Sequence, residues 1–345
     1  MLGPRDGAAG HHLEPPCAYR SAKAALTSPL LTCSWKRACS RDLEPLTCGA
    51  VPSRCLTLPS AGTMCQMPVV VGYNGKKHAS EALDWAAEEA LHRAAALIVL
   101  FAANYPGMTL PPGPGLFELE PGALDAATEV TDIGVAQVRA AYPDLIAIGR
   151  TVVTSPTEAL VEESAEASLL VVGSRGRGSV LATLLGSISF AVASTAQCPV
   201  VVVKEGCAAT AAGPRKRVVA GADGSERAAS AVAFAADFAA SRSASMEVIC
   251  CTGELSVPVV SQEALRRTAA DILERTCASL QETHPRLAVT TRLEDGAPEL
   301  TLIDASTDAG LMVVGSSGRG HPRMMISGST AFAVVHGAQC PVAVV

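Results

Sequence analysis

Two glycine-rich segments of the sequence contain residues that commonly bind phosphate. In each, an apolar run ends at a glycine, a second glycine follows three residues later, and a Gly-Ser pair follows after nine more. These residues are Gly173, Gly176, Gly186 and Ser187 in the first segment, and Gly315, Gly318, Gly328 and Ser329 in the second. Glycines after a strand allow positive φ and a close approach of backbone N–H groups to an anion. A Gly-Ser pair that opens a helix adds unpaired N–H groups and a hydroxyl. Each segment therefore predicts an anion-binding edge.

Two better-known phosphate motifs do not fit the first segment. Ser179 stands where a P-loop requires lysine, and Leu181 stands where a dinucleotide-binding loop requires its third glycine. A single glycine pair would more often form a tight turn or a helix cap, but the occurrence of the longer pattern twice favours binding. The loop arginines Arg175, Arg177 and Arg319 either neutralise phosphates or are solvated charges.

The two segments belong to an internal repeat. Gly315 lies 142 positions after Gly173, and Cys340 lies 142 positions after Cys198. Upstream, the similar stretches PVVVGYNG and RVVAGADG lie 149 positions apart. Duplication explains these fixed offsets better than chance does.

Each repeat alternates apolar runs with stretches of helical periodicity. The first repeat predicts strands at 69–72, 97–102, 145–153, 169–172 and 200–203, and helices at 80–95, 122–141, 156–167 and 186–196. The second follows the same order up to residue 345. Because the strands are apolar on both faces, they predict α/β domains with a parallel sheet covered by helices on both sides. Ligands of such sheets bind beyond the carboxyl ends of the strands.

The composition excludes several functional classes. The net charge of −6 provides no basic surface for nucleic acid or an anionic membrane, and no uninterrupted apolar run reaches the roughly 18 residues of a membrane-spanning helix. The 12 cysteines include no CxxC pair or zinc spacing, which favours reduced thiols and a cytoplasmic location. Neither a catalytic constellation nor a metal site is predicted. Cys198 and Cys340, which each precede a proline, are interpreted as structural.

The chain divides into four regions. Residues 1–63 are rich in proline, serine and cysteine, and they are expected to be a disordered or non-native N-terminal extension, although part resembles a transit peptide. Met64 or Met67 would then be the natural start. The first domain is expected at 67–205, a linker at 206–216 and the second domain at 217–345.

The glycine pattern, the stretch VVAGADGSERAASAVAFA and the endings AQCPVVVV and AQCPVAVV resemble the universal stress protein family. The resemblance covers about residues 67–345 and is to a tandem, two-domain member of the actinobacterial type. It implies two doubly wound, Rossmann-like domains, each with a five-stranded parallel sheet. It also implies ATP as the ligand, with or without Mg²⁺.

The resemblance also assigns site residues in both domains. In the second, it places Asp223 at the ribose, Ala222 beside the adenine and Cys251 in the base pocket. It places Gly315, Gly318, Gly328 and Ser329 at the phosphates, with Thr330 nearby. The matching residues of the first domain are Tyr73, Ala102, Gly173, Gly176, Gly186, Ser187 and Ser189. Asn74 departs from the family, which has aspartate there, and this predicts weaker binding by the first domain.

Three functions remain open at this point. The first is an ATP-binding stress-response protein with a regulatory or sensing role. The second is a slow ATP hydrolase, which needs a base or a metal-binding carboxylate that the sequence does not identify. The third is a dimerisation scaffold with vestigial nucleotide sites. The apolar last strands would be exposed edges in isolated domains, so we expect them to pair antiparallel within the chain; a homodimer is a further alternative.

Overall fold

The structure is a computed structural model that describes residues 66–104, 122–174, 186–207, 217–253, 261–316 and 329–345. The N-terminal segment 1–63 and most of the expected linker lie outside these ranges. Among the helices within them, none combines the length and the apolar character needed to cross a bilayer.

The first half of the described chain alternates strands and helices in the predicted order. Its strands are β1 (Val69–Gly72), β2 (Leu97–Ala102), β3 (Ala147–Val152), β4 (Leu169–Gly173) and β5 (Val200–Val203). Its helices are α1 (Lys77–His92), α2 (Ala123–Ala141), α3 (Pro156–Ser164) and α4 (Ser187–Thr195). Valine, isoleucine and leucine dominate the central strands, which are buried on both faces, as expected for a covered parallel sheet.

The second half repeats this arrangement. Its strands are β6 (Val218–Gly221), β7 (Met246–Cys251), β8 (Val289–Glu294), β9 (Leu311–Val314) and β10 (Val342–Val344). Its helices are α5 (Glu226–Ser241), α6 (Gln262–Thr283), α7 (Pro298–Ala305) and α8 (Ser329–Gly337). The equivalent strands β2 and β7 have equal lengths, as do β3 and β8, so the two halves can be compared residue by residue.

All ten strands form one sheet in the order β3-β2-β1-β4-β5-β10-β9-β6-β7-β8. Neighbouring strands within each half are parallel, and the chain order reverses beside β1 and β6, as in doubly wound domains. The halves join where β5 and β10 pair antiparallel, with Ala343 opposite Val201. The predicted pairing of the two last strands is therefore confirmed, and it removes two exposed edges.

The helices cover the sheet on both faces and divide the core in two. Helices α1, α2, α5 and α6 pack on one face, and α3, α4, α7 and α8 pack on the other. Successive residues of a strand point to opposite faces; Val69 and Val71 thus belong to the first core, whereas Val70 belongs to the second. The fold is the predicted α/β arrangement of parallel sheets flanked by helices.

Two helices end three residues earlier than periodicity alone indicates. The predicted helix 80–95 ends at His92, because Ala94 adopts a left-handed conformation with φ of 49°. The N–H of Ala94 then donates to the carbonyl of Leu91, and that of Ala95 to the carbonyl of Ala90. This closing pattern is a Schellman motif. The predicted helix 156–167 likewise ends at Ser164.

Side chains from both halves meet at the join. On one face the ring of Trp85 stacks on that of Phe238, with ring centroids 6.2 Å apart. On the other face Phe190 meets Phe332 edge to face, with centroids 5.3 Å apart. Lys204, directly after β5, donates to the carbonyl oxygens of His336 and Ala338 at 2.6 and 2.7 Å. The lysine thus caps the carboxyl end of α8 from the other half of the molecule.

Candidate functional site

The second half contains a cleft of about 400 Å³ at the carboxyl ends of β6, β7 and β9. The strand order reverses between β6 and β9, which is the position where doubly wound sheets bind ligands. Its two helical walls come from opposite faces of the sheet: Leu265, Thr268, Ala269 and Ile272 of α6, and Pro298 and Leu302 of α7. A cleft of this size and mainly apolar lining suits a small-molecule ligand.

Asp223 lies at the edge of the cleft, in the turn between β6 and α5. Gly224 forms this turn with φ of 79°. Asp223 Oδ1 accepts hydrogen bonds from the backbone N–H of Ser225 at 2.9 Å and from its hydroxyl at 2.6 Å. Ser225 Oγ in turn accepts from the N–H of Ala228, capping α5. The helix start therefore fixes the carboxylate in place, where it can accept charge-assisted hydrogen bonds from a ligand.

Gly315 and Thr330 line the other end of the cleft. Gly315 directly follows β9, where a Cβ atom would lie only 3.0 Å from the carbonyl carbon of Arg227 and 3.1 Å from the nitrogen of Ala228. Glycine is thus required for the close approach of this loop to the first turn of α5. Thr330 lies in the first turn of α8, which begins at Ser329. The predicted Gly318 and Gly328 lie outside the described residues.

The predicted base-pocket residues also line this cleft. Ala222 is buried, and its N–H donates to the carbonyl of Ile249 at 2.8 Å. Cys251 is half-buried at the end of β7. Burial raises the pKa of the Cys251 thiol, and a hydrogen bond with Thr301 opposes this rise. The thiol is therefore mainly protonated at neutral pH, and it forms a small, uncharged part of the cleft lining.

In the first domain, Asn74 forms a turn like that of Asp223. Its Oδ1 accepts from the N–H of Lys76 at 3.1 Å. Tyr73 is only 3% exposed, and its hydroxyl donates to Gln137 Oε1 of α2 at 3.2 Å. Ala102 ends β2 and is half-buried.

Gly173 and Gly186, at the predicted phosphate edge of the first domain, are close together. The N–H of Gly186 donates to the carbonyl of Ser174 at 2.8 Å. Ser189 is buried, and its hydroxyl donates to the carbonyl of Gly173 at 2.7 Å. Ser187 is exposed at the start of α4. The predicted Gly176 lies outside the part of the chain that the structure describes.

The α6 wall of the cleft was missed by reasoning from sequence. Leu265, Thr268, Ala269 and Ile272 have the spacing of one helical face, and the same spacing describes a face that is buried in the core. Periodicity therefore predicts the face but cannot separate a pocket wall from core packing.

A polar rim beside Thr252 was also missed. Gln262 Nε2 donates to Thr252 Oγ1 at 3.2 Å and to Asp295 Oδ1 at 2.9 Å, and Arg266 forms an ion pair with Asp295. Thr252 lines the cleft. These residues come from three separated segments, so only the fold brings them together.

Taken together, the ten-stranded sheet and the cleft define a tandem, doubly wound α/β protein with a cleft at the switch point of its second half. The sequence profile of the Universal stress protein family matches residues 67–204 and 214–345. The chain belongs to this family, as a tandem two-domain member, and the family match assigns it to the stress response.

Individual proteins and solved structures are similar to this chain. A universal stress protein of Mycobacterium tuberculosis H37Rv is 32% identical over 287 residues, which cover 81% of this chain and 97% of that protein. The crystal structure of a universal stress protein from Archaeoglobus fulgidus DSM 4304 covers 81% of this chain and 96% of its own, with a TM-score of 0.61 and 20% identity; it shows the shared fold. A shorter universal stress protein from Archaeoglobus fulgidus, solved in complex with dAMP, covers 40% of this chain and 98% of its own, with a TM-score of 0.31 and 23% identity.

Proposed function

We propose that the chain is an ATP-binding regulatory protein of the stress response and that its second domain binds ATP more tightly than the first. The observation that supports this is the cleft at the carboxyl ends of β6, β7 and β9. It has an apolar end between two helices and a glycine-containing end beside a helix start, and a nucleotide has the same division into an apolar base and charged phosphates.

The apolar end suits a planar base. Leu265 and Ile272 of α6 and Leu302 of α7 provide apolar surface on the two sides of the cleft. The small side chains of Ala222 and Cys251 leave room between them. Burial of a base against such surface is favourable by about 25 cal/mol per Å² of apolar area.

The polar end suits a ribose and phosphates. The Asp223 carboxylate is held at the cleft edge by Ser225, and an ionised acceptor forms roughly twice as strong a hydrogen bond with a hydroxyl as a neutral one. At the other side Gly315 brings the loop after β9 close to α5, and Thr330 lies in the first turn of α8. The unpaired N–H groups of a helix start favour an anion.

Replacing Asp223 by the residue that the first domain uses tests this assignment. Because Asn74 forms the same kind of turn, Asp223→Asn should keep the turn and remove only the charge. We expect isothermal titration of the full chain to show ATP binding about tenfold weaker, which corresponds to about 1.4 kcal/mol.

Asn74→Ala is the matched control and should leave the affinity unchanged. A loss of binding in Asn74→Ala together with full binding in Asp223→Asn would contradict the assignment. Phosphate release from ATP by the same preparation separates a binding protein, for which we expect no turnover, from a slow hydrolase.

A further inference from the structure

The two halves differ at two positions that belong to the cleft wall in the second domain. Position for position along β1 and β6, and along β2 and β7, Tyr73 corresponds to Ala222 and Phe101 corresponds to Cys250. Ala222 and Cys250 are small and line the cleft of the second domain. Their counterparts in the first domain are large aromatic residues.

The helices of the two halves can be aligned as well, because α2 and α6 end in the same way. The N–H of Tyr142 donates to the carbonyl of Val138, and the N–H of His284 donates to the carbonyl of Leu280, both at 2.7 Å. This alignment makes Ala127 and Val130 of α2 the counterparts of the cleft residues Ala269 and Ile272 of α6, 142 positions later.

Phe101 fills the corresponding space in the first domain. Its side chain is 7% exposed, and it packs in a separate cluster with Ala103, Ala127 and Val130. All three neighbours are counterparts of residues that line the open cleft: Thr252, Ala269 and Ile272. The ring therefore contacts the surfaces that would otherwise face a ligand.

Tyr73 closes the adjoining space, and α2 is adapted to it. A Cβ atom on Gly134 would lie 2.8 Å from Tyr73 Cδ1 and 3.0 Å from Val99 Cγ1, so glycine is needed where the ring passes the helix. Gln137, one turn further along, accepts the hydrogen bond of the Tyr73 hydroxyl. The second domain has Thr276 in place of Gly134. Glycine inside a helix is less favourable than alanine, and the packed ring with its hydrogen bond offsets this.

We propose that Phe101 and Tyr73 plug the base pocket of the first domain, so that one chain binds one adenine nucleotide, in the second domain only. This inference rests on the proposed ATP binding by the second domain. It goes further than unequal affinity, because it closes the site of the first domain. The first domain then keeps the fold and the sheet pairing of the repeat without its ligand.

The number of sites tests the proposal directly. Titration of the full chain with ATP should give a stoichiometry of one. The double substitution Ala222→Tyr and Cys250→Phe introduces the two aromatic residues of the first domain into the second. It should weaken ATP binding at least about a hundredfold, because both rings would occupy the cleft. Two sites in the wild type, or undiminished binding by a folded plugged variant, would overturn the proposal.

Photolabelling of the wild-type chain with an azido-adenine analogue of ATP keeps the test decisive if the plugged variant fails to fold. We expect labelled peptides from residues 217–345 alone, and labelled peptides from residues 67–205 would contradict the plug. A complete absence of ATP binding would contradict the proposed function, and with it this inference, whereas two sites would contradict the inference alone.

Discussion

At Gly315 the chain leaves β9 and passes directly against the first turn of α5. The contact is with backbone atoms of Arg227 and Ala228, which cannot rotate aside as a side chain can. At Gly221, at the end of β6, the nearest atom to an added Cβ is Leu302 Cδ1 at 3.2 Å, the end of a flexible side chain. Two glycines of the same cleft therefore differ in how strictly they are required.

Gly315→Ala should lower the free energy of unfolding by about 1–3 kcal/mol, because overpacking against a fixed backbone forces the strand and helix apart. Gly221→Ala is the matched control and should cost less than about 1 kcal/mol, since Leu302 can adjust. Urea unfolding followed by circular dichroism measures both. Equal losses for the two variants would show that the backbone contact at Gly315 is not decisive.

Helices α1 and α5 occupy equivalent positions and end with the same unfavourable residue conformation. Ala94 has φ of 49° and Ser243 has φ of 52°. In both, the following N–H closes the helix, from Ala95 to Ala90 and from Ala244 to Ala239. Holding a residue that has a Cβ atom in the left-handed conformation costs roughly 1–2 kcal/mol. Glycine adopts this conformation without that cost.

Ala94→Gly and Ser243→Gly should therefore each stabilise the protein, by about 0.5–1 kcal/mol after allowing for the greater entropy of an unfolded glycine. Ala233→Gly, at an exposed position inside α5, is the control and should instead destabilise by about 1 kcal/mol. Thermal unfolding gives the sign in each case. Destabilisation by all three changes would rule out strain at the two helix ends.

At the scale of the whole molecule, the side-chain contacts between the two halves are not symmetric, although the two halves have the same fold. Glu89 of α1 is only 2% exposed and forms ion pairs with Arg93 and with Arg242 of the other half. The equivalent of Glu89 on α5 is Phe238, over whose ring the Arg242 guanidinium lies at 3.8 Å from the centroid. Burial lowers the pKa of Arg242, and the charge of Glu89 opposes this. One buried carboxylate thus compensates a cation from each half.

Glu89→Gln should lower the free energy of unfolding by about 3 kcal/mol, because it removes the carboxylate that forms ion pairs with both the buried Arg242 and Arg93. Glu88→Gln on the same helix is the control. Burial raises the pKa of Glu88, and the hydrogen bond from the Tyr142 hydroxyl opposes this rise. Glutamine keeps an acceptor for that hydroxyl, so the control should change stability by less than about 0.5 kcal/mol. Urea unfolding at pH 7 compares the two, and similar losses would contradict the role given to Glu89.

The order of strands and helices, the duplication and the position of the ligand edge were all predictable from the amino-acid sequence. Strands such as Val69–Gly72 and Val200–Val203 are apolar on both faces, and that property indicates a strand covered by helices on both sides. The pairing of the two last strands followed from the same reasoning, because an unpaired apolar edge is unfavourable. Gly315 was predicted to belong to an anion-binding edge because it directly follows a predicted strand.

Only the tertiary structure shows that Cys250 lines a cleft, whereas Phe101 packs in a cluster with Ala103 and Ala127. Phe101 and Cys250 both occupy strand positions in which a buried apolar residue is expected, and sequence patterns do not separate a side chain that fills a pocket from one that lines it. The difference depends on contacts with Val130 and its neighbours, nearly thirty positions along the chain from Phe101. The place where α1 ends was likewise decided by the left-handed conformation of Ala94. Helical periodicity cannot encode that conformation, since alanine is the strongest helix former.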